Sequence, residues 1–391
     1  MLQKHEDGIK SYLPPQKYHR FFLQSCTAMV LICIVCYTYV RIDGRNNFYI
    51  KTWNVKGMFE RALRRTSNIF PHVQRERKTV LLWTPYFSQK DWLPSTQELR
   101  CPVQDCVATS NRSLLANSSA VIFHLRNIDT GDLPTFLFSN NVTSNASSPL
   151  LVLFNKEAPP NTPADVLDKM NGKIHLMATY RKDSEVYTPY GWIEKRTTRF
   201  KIPDFKPDKS TVCWLVSHCQ TSSNREVYVS ILKQYIDVEI YGKCGDKECP
   251  YGQPLDCYHW LAKRCKFYLS FENSICRDYV TEKLYYALMS DMVPIVMGGE
   301  DYDRYLPPHS FIDVADFSSP ESLAHYLLEV GQHEASYLSY FKWKEKYEAA
   351  FVPYLWFCSL CDILHRNDTE NLKPHNSVIS WWFEEGNCTS V

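Results

Sequence analysis

The densest chemistry in the chain lies in residues 271–299, FENSICRDYVTEKLYYALMSDMVPIVMGG. The pattern predicts a strand ending at Phe271, a polar loop, and a helix starting near Asp278. On that helix Val280, Leu284, Ala287 and Leu288 form the buried stripe. Tyr279, Glu282 and Lys283 then share the flank at i, i+3 and i+4, so one turn offers a ring, a carboxylate and an ammonium. Free N–H groups and the dipole at a helix N-terminus favour phosphate. Lys283 suits a phosphate charge and Glu282 suits ribose hydroxyls. The same spacing also describes a solvated charge pair, Asp278 or Glu282 beside a lysine.

Two shorter motifs compete. Asp301-Tyr302-Asp303 has the D-x-D form that holds a divalent ion on a nucleotide pyrophosphate. Three-residue matches arise easily by chance, and no metal site is assigned. Cys358-x-x-Cys361, with His365 nearby, has the spacing of half a zinc site or a redox pair.

These residues need a frame. Strand-length apolar runs recur at 79–84, 119–125, 149–154 and 173–180, and after a Pro-interrupted linker (202–210) at 211–217, 238–242, 266–271 and 293–298. Helical stretches alternate with them, as at 226–236 and 279–291. Continuous apolar strands between amphipathic helices imply parallel sheets covered on both faces. An open α/β sheet binds ligands at strand carboxyl ends beside helix N-termini, where 271–283 would lie. Two α/β units joined near residue 205 are expected.

At 391 residues, with 45% hydrophobic and 22% charged side chains, the chain has globular composition and room for two to three domains. Net charge is 44 − 43 = +1, so no basic field points to nucleic acid. Aromatics at 14% suit stacking on sugars and core packing alike. Residues 21–40 carry no charge and are long enough to span a bilayer as a helix. The stretch is too long for a signal-peptide core, and no small-residue cleavage site follows it. It is read as a signal anchor behind a cytoplasmic tail (1–20) and before a stem (41–77). Lys and Arg are balanced across it, so orientation rests on sequons. Asn111, Asn117, Asn141, Asn145, Asn367 and Asn387 each open an N-x-S/T triplet, and all follow the span, which favours a lumenal body. Of 15 cysteines, Cys26, Cys33 and Cys36 lie in the span, leaving an even twelve for an oxidising compartment.

The segment FENS…DYVTEKL…VPIVMG…YLPPHSFIDVADF (271–317) resembles the donor-site signature of the α1,3/4-fucosyltransferases, glycosyltransferase family 10. YRKDSEVYTPYG (180–191), VCWLVS with Arg225 downstream, YLSYFKWK (337–344) and CSLC (358–361) extend the likeness over roughly 79–388. The resemblance implies a GT-B-like α/β fold: two Rossmann-like doubly wound domains facing a cleft, with an N-terminal transmembrane helix. The acceptor-side domain would span 78–205, the GDP-fucose domain 206–355, and residues 356–391 would return to the first. It further implies a single-pass type II Golgi membrane protein with a lumenal catalytic body.

The implied activity is inverting α1,3-fucosyl transfer from GDP-β-L-fucose to a GlcNAc hydroxyl of an N-glycan or related glycoconjugate. Carried over residue by residue, Arg225 holds the pyrophosphate, and Asn273, Tyr279, Glu282 and Lys283 contact the nucleotide. The base falls on Glu157 in LFNKEAPPNT, with Glu185 and Asp183 as rivals. No tightly bound cofactor is implied, and a divalent cation would at most stimulate. The acceptor-side cluster is expected at His124-Leu125-Arg126-Asn127; His124 and Arg126 match the family, while Leu125 replaces an imidazole and Asn127 a carboxylate. The likeness also implies that Cys358 and Cys361 bond to Cys101 and Cys106, and Cys213 to Cys265; the other lumenal cysteines stay unassigned. A catalytically silent glycan-binding scaffold on the same fold is the competing reading.

Overall fold

Strands whose side chains are apolar on both faces are stable only between two further layers, and the two large sheets among the described residues are built that way. The computed structural model describes residues 76–134, 148–206, 210–351, 353–366 and 368–389. The expected anchor at 21–40, nearly all of the stem, and the sequons at Asn141, Asn145 and Asn367 lie outside the described residues. Among the described residues, no helix is long and apolar enough to cross a membrane.

The first sheet contains β1 (Lys78–Leu82), β2 (Cys106–Thr109), β3 (Ala120–His124), β4 (Leu150–Asn155), β5 (Leu176–Thr179) and β6 (Val186–Tyr187). All are parallel, in the order β2-β1-β3-β4-β5-β6. Helix α1 (Ala164–Met170) lies between β4 and β5 in the chain. Along β3 and β4 the side chains alternate faces. Ala120, Ile122, Val152 and Phe154 enter one core; Val121, Phe123, Leu151 and Leu153 enter the other. After β6, strand β7 (Trp192–Lys195) leaves this sheet.

The second sheet comprises β8 (Ser210–Leu215), β9 (Val238–Tyr241), β10 (Cys265–Phe271), β11 (Val293–Met297) and β12 (Ile312–Asp313). Its order is β12-β11-β10-β8-β9, again all parallel. Helices α2 (Arg225–Leu232), α3 (Pro254–Ala262) and α4 (Glu282–Met289) connect its strands, and α5 (Pro320–Gln332) and α6 (Glu334–Ser339) follow. Strand β13 (Tyr347–Ala350) then pairs antiparallel with β7. In both sheets the first strand sits between the second and third, a doubly wound order.

The chain ends on the first sheet. Helix α7 (Trp356–Leu364) buries Trp356, Phe357, Leu360 and Cys361 in the core with Ile122 and Phe154. Val378, Trp381 and Trp382 pack on the opposite face. Disulfides Cys101–Cys358 and Cys106–Cys361 fasten α7 to the segment before β2 and to β2 itself. Cys213–Cys265 joins adjacent strands β8 and β10. The cysteines left unassigned by sequence pair as Cys219–Cys244, Cys249–Cys257 and Cys276–Cys388.

Leu360 is fully buried between these two bridges. Leu360→Ala should cost about 2–5 kcal/mol through lost burial and a cavity. Urea unfolding of the oxidised protein checks this; a loss below about 1 kcal/mol would show that α7 does not support the first sheet.

Candidate active site

Strand order in the second sheet reverses direction between β8 and β10, which opens a crevice at their carboxyl ends. Arg225, the first residue of α2, stands there. Its Nη1 donates to the Phe271 carbonyl at 2.6 Å and its Nη2 to the His218 carbonyl at 3.2 Å, so the guanidinium bridges the ends of both strands. Asn224 before it adopts a left-handed conformation (φ 50°), which turns the chain into the helix. Arg225 is 3% exposed, yet its Nε has no hydrogen-bond partner; nor has Asn273 Oδ1. Buried polar groups are rarely left unpaired. A donor and an acceptor held this way at a switch point fit a bound polar ligand.

Beside them lies a buried carboxylate. Glu272, 1% exposed, accepts from the Thr281 backbone N–H at 2.8 Å, from Thr281 Oγ1, and from Lys283 Nζ at 3.2 Å. Lys283 Nζ also donates to Thr281 Oγ1 at 2.7 Å and lies 3.4 Å from Glu282. Burial works against the Lys283 ammonium, but Glu272 and Glu282 outweigh it and raise its pKa. Lys283 is therefore a permanent cation. Burial also pushes the Glu282 carboxyl up, while Lys283, its own backbone N–H and Lys156 hold it below the ordinary range.

This network corrects the expected helix. It starts at Glu282, not near Asp278, because Glu272 captures Thr281 in an extended conformation and makes it the cap. Asp278 is left-handed (φ 61°), its carboxylate accepting from the Lys182 backbone N–H and the Tyr305 hydroxyl. Val280 precedes the helix. Tyr279 shares no helical flank with Glu282 and Lys283; its ring is buried 4.8 Å from Tyr180 and 6.4 Å from Tyr190.

Glu157 follows β4. The Asn155 side chain grips it, Oδ1 accepting from the Glu157 N–H and Nδ2 donating to its carbonyl. The Glu157 carboxylate is half-buried and 3.5 Å from Arg126. Besides burial, its carboxylate and that of Glu282 on α4 both raise the pKa of the same three tyrosines, Tyr86, Tyr190 and Tyr279. Its rivals are engaged elsewhere. Glu185 accepts from the Met177 N–H and pairs with His375; Asp183 holds the Arg181 guanidinium through two bonds.

His124 is 3% exposed rather than open to a ligand. It donates from Nδ1 to Asn127 Oδ1 at 2.7 Å, and burial depresses its pKa to about 4. Asn127 in turn accepts from the Phe87 N–H and donates to the Phe87 carbonyl. Phe87 is held in a left-handed conformation (φ 53°) with its ring 51% exposed and Arg126 at 5.7 Å. Sequence reasoning did not find Phe87, which has no local signal, nor the role of Glu272, whose place at a strand end inside FENS was the available clue.

Asp301 pairs with Arg304, and with Asp303, Asp313 and Asp316 lines a cavity of about 310 Å3 that includes neither Arg225 nor Lys283. Of the sequons, Asn111, Asn117 and Asn387 are exposed, and the Asn111 side chain accepts from the Ser113 N–H to cap a short helix.

Residues 75–191 match the family description "Fucosyltransferase, N-terminal", and residues 205–382 match "Glycosyltransferase family 10 (fucosyltransferase) C-term". Alpha-(1,3)-fucosyltransferase C of Drosophila melanogaster is 35% identical over 340 residues, covering 78% of this chain and 78% of its own length. 4-galactosyl-N-acetylglucosaminide 3-alpha-L-fucosyltransferase 9 of Rattus norvegicus is 34% identical over 314 residues, covering 78% and 82%. A crystal structure of an alpha1,3-fucosyltransferase shares the fold, with a TM-score of 0.50 at 15% identity over 77% of this chain and 93% of that one.

His124 sets a pH dependence. Unfolded, it binds a proton below about pH 6.5; folded, only below about 4. The unfolded state thus holds more protons in this window, and stability falls as pH drops through it, by about 3 kcal/mol at pH 4. Unfolding free energies measured from pH 7 to 4 should show this slope in the wild type and lose most of it in His124→Gln.

Proposed function

The chain belongs to glycosyltransferase family 10, the α1,3-fucosyltransferases, and on that premise we propose that it is a GDP-fucose-dependent enzyme working by inversion on a GlcNAc hydroxyl of an N-glycan or related glycoconjugate. The observation that carries the reading is the cationic crevice: Arg225 with an unpartnered Nε, Asn273 with an unpartnered Oδ1, and Lys283 kept charged by Glu272. A diphosphate would supply the acceptor that Arg225 Nε lacks and the negative charge for Lys283, and an O–H or N–H of the ribose or base would supply the donor for Asn273 Oδ1. The two doubly wound sheets are read as the halves of a GT-B enzyme, with the second binding the donor and the first the acceptor.

In this mechanism Glu157 takes the proton of the acceptor hydroxyl while its oxygen attacks the fucose anomeric carbon from the face opposite GDP. The bond from that carbon to the diphosphate oxygen breaks, and its electron pair leaves with GDP. The β-linked donor becomes an α-linked product. Charge grows on the departing diphosphate, where Arg225 and Lys283 stabilise it, so no acid need protonate it. Arg126, 3.5 Å away, aims Glu157, and the exposed Phe87 ring offers an apolar face to the acceptor sugar.

Six disulfides and the exposed Asn111, Asn117 and Asn387 support a lumenal body in an oxidising compartment, which fits a type II Golgi protein anchored through residues 21–40. A divalent cation would act only as a stimulant.

The full-length chain, solubilised and given GDP-fucose with a panel of GlcNAc-bearing glycans, should release GDP and form an α1,3-linked fucoside. Glu157→Gln should lower kcat by about 10²–10⁴-fold with GDP still bound. Arg225→Ala and Lys283→Ala should each abolish transfer and weaken GDP binding measured by calorimetry. Asp301→Asn with Asp303→Asn should transfer normally. GDP binding without release for any acceptor would instead indicate a silent scaffold.

A further inference from the structure

Lys156 stands immediately before the expected base, and its side chain does not point into bulk water. Its Nζ donates to the Pro189 carbonyl at 3.2 Å and sits 3.9 Å from the centre of the Tyr190 ring. The Tyr190 hydroxyl donates back to the Lys156 carbonyl. The loop after β4 and the segment 189–190 are thus clamped in both directions, once through each side chain.

That segment leads directly to the donor helix. A Cβ at Gly191 would run into the ring of Tyr285 on α4, so only glycine allows the chain to lie this close. Tyr190 also meets Tyr279 edge-on, in the loop just before α4. A continuous path of packed groups therefore runs from Glu157 through Lys156 and the 189–191 segment to the helix that bears Glu282 and Lys283. We propose that Lys156 is a positioning residue for fucosyl transfer, its ammonium holding the Glu157 loop in register with the donor helix.

The charge matters as well as the packing. A desolvated ammonium is costly, and here a carbonyl, a ring face and the Glu282 carboxylate offset the cost. The titratable groups that meet the clamp are Glu157, next in the chain, Tyr190 under the ammonium, Tyr279 against the Tyr190 ring, and Glu282, whose charge acts on Lys156. Burial lowers the Lys156 pKa to about 8, with Glu282 opposing. Above that pH the ammonium becomes an amine, and the clamp loses its cation–π and charge contributions.

The proposal rests on the reading of Glu157 as base and on fucosyl transfer itself. The experiment measures kcat, KM for GDP-fucose and the pH profile of the wild type, Lys156→Met and Lys156→Arg, with GDP calorimetry as the check that each folds. The wild type should lose activity above about pH 8. Lys156→Met should lower kcat at least tenfold at pH 7, with KM for GDP-fucose and GDP affinity within twofold, and should lack that alkaline limb. Lys156→Arg should recover most of kcat and move the limb to higher pH. Lys156→Met with wild-type kcat and an unchanged limb would overturn the proposal alone. A tenfold rise in KM with unchanged kcat would also overturn it, making Lys156 a donor contact instead. No transfer by the wild type would overturn the functional reading and this proposal with it.

Discussion

A buried carboxylate paired with an ammonium organises the half of this protein built on the second sheet. Glu272 sits at the end of β10 with almost no access to water, a position tolerable only because Thr281 and Lys283 satisfy its oxygens. In exchange it decides where α4 begins, where the Lys283 ammonium is held and how its charge is kept. Arg225 shares this field from the other side, with its guanidinium spanning the ends of β8 and β10. These cationic side chains are thus fixed by groups of the protein itself, and preorganised charge of this kind is the main way a protein stabilises a developing anion.

The half built on the first sheet relies on a different device, an amide that reads backbone. Asn127 follows His124 by three residues and bonds to it. Its side chain both accepts from the Phe87 N–H and donates to the Phe87 carbonyl, and the second bond is one that an ionised carboxylate cannot make. His124, neutral because it is buried, supplies a third bond to the same amide. Together they hold an aromatic residue in a backbone conformation that bulky side chains rarely adopt, with its ring toward solvent near Arg126.

The C-terminal segment ties the two halves. Arg181, fully buried in the first half, binds Asp183, the Trp381 carbonyl and Glu385. Cys388 bonds to Cys276, the Arg277 N–H donates to the Gly386 carbonyl, and Ile275 bridges to Thr389. The loop that carries Asn273 and Tyr279 is therefore stapled to a segment whose tryptophans pack on the first sheet. A site made from both halves keeps its geometry when its most irregular loop is covalently fastened.

By itself the sequence determined the layered frame and the identity of the polar anchors. Runs such as AVIFH, LLVLFN and CKFYLSF are apolar without a break, and such runs have no stable place except inside a covered parallel sheet, so each became a strand close to where its composition predicted. The polar residues of 271–283 that could do chemistry were legible from their types and order. Their conformation was not. Helical periodicity favoured a start near Asp278, but Glu272 from the preceding strand and Lys182 from the other half claim Thr281 and Asp278 first, and no local pattern contains those partners. For the same reason only the tertiary structure shows how Glu157, Glu185 and Asp183 differ: each is an acid near a strand end, and their partners, Arg126, His375 and Arg181, lie across space from them. Local sequence carries periodicity and burial; competition between distant groups for one backbone N–H or one carboxylate is settled only when the chain has folded.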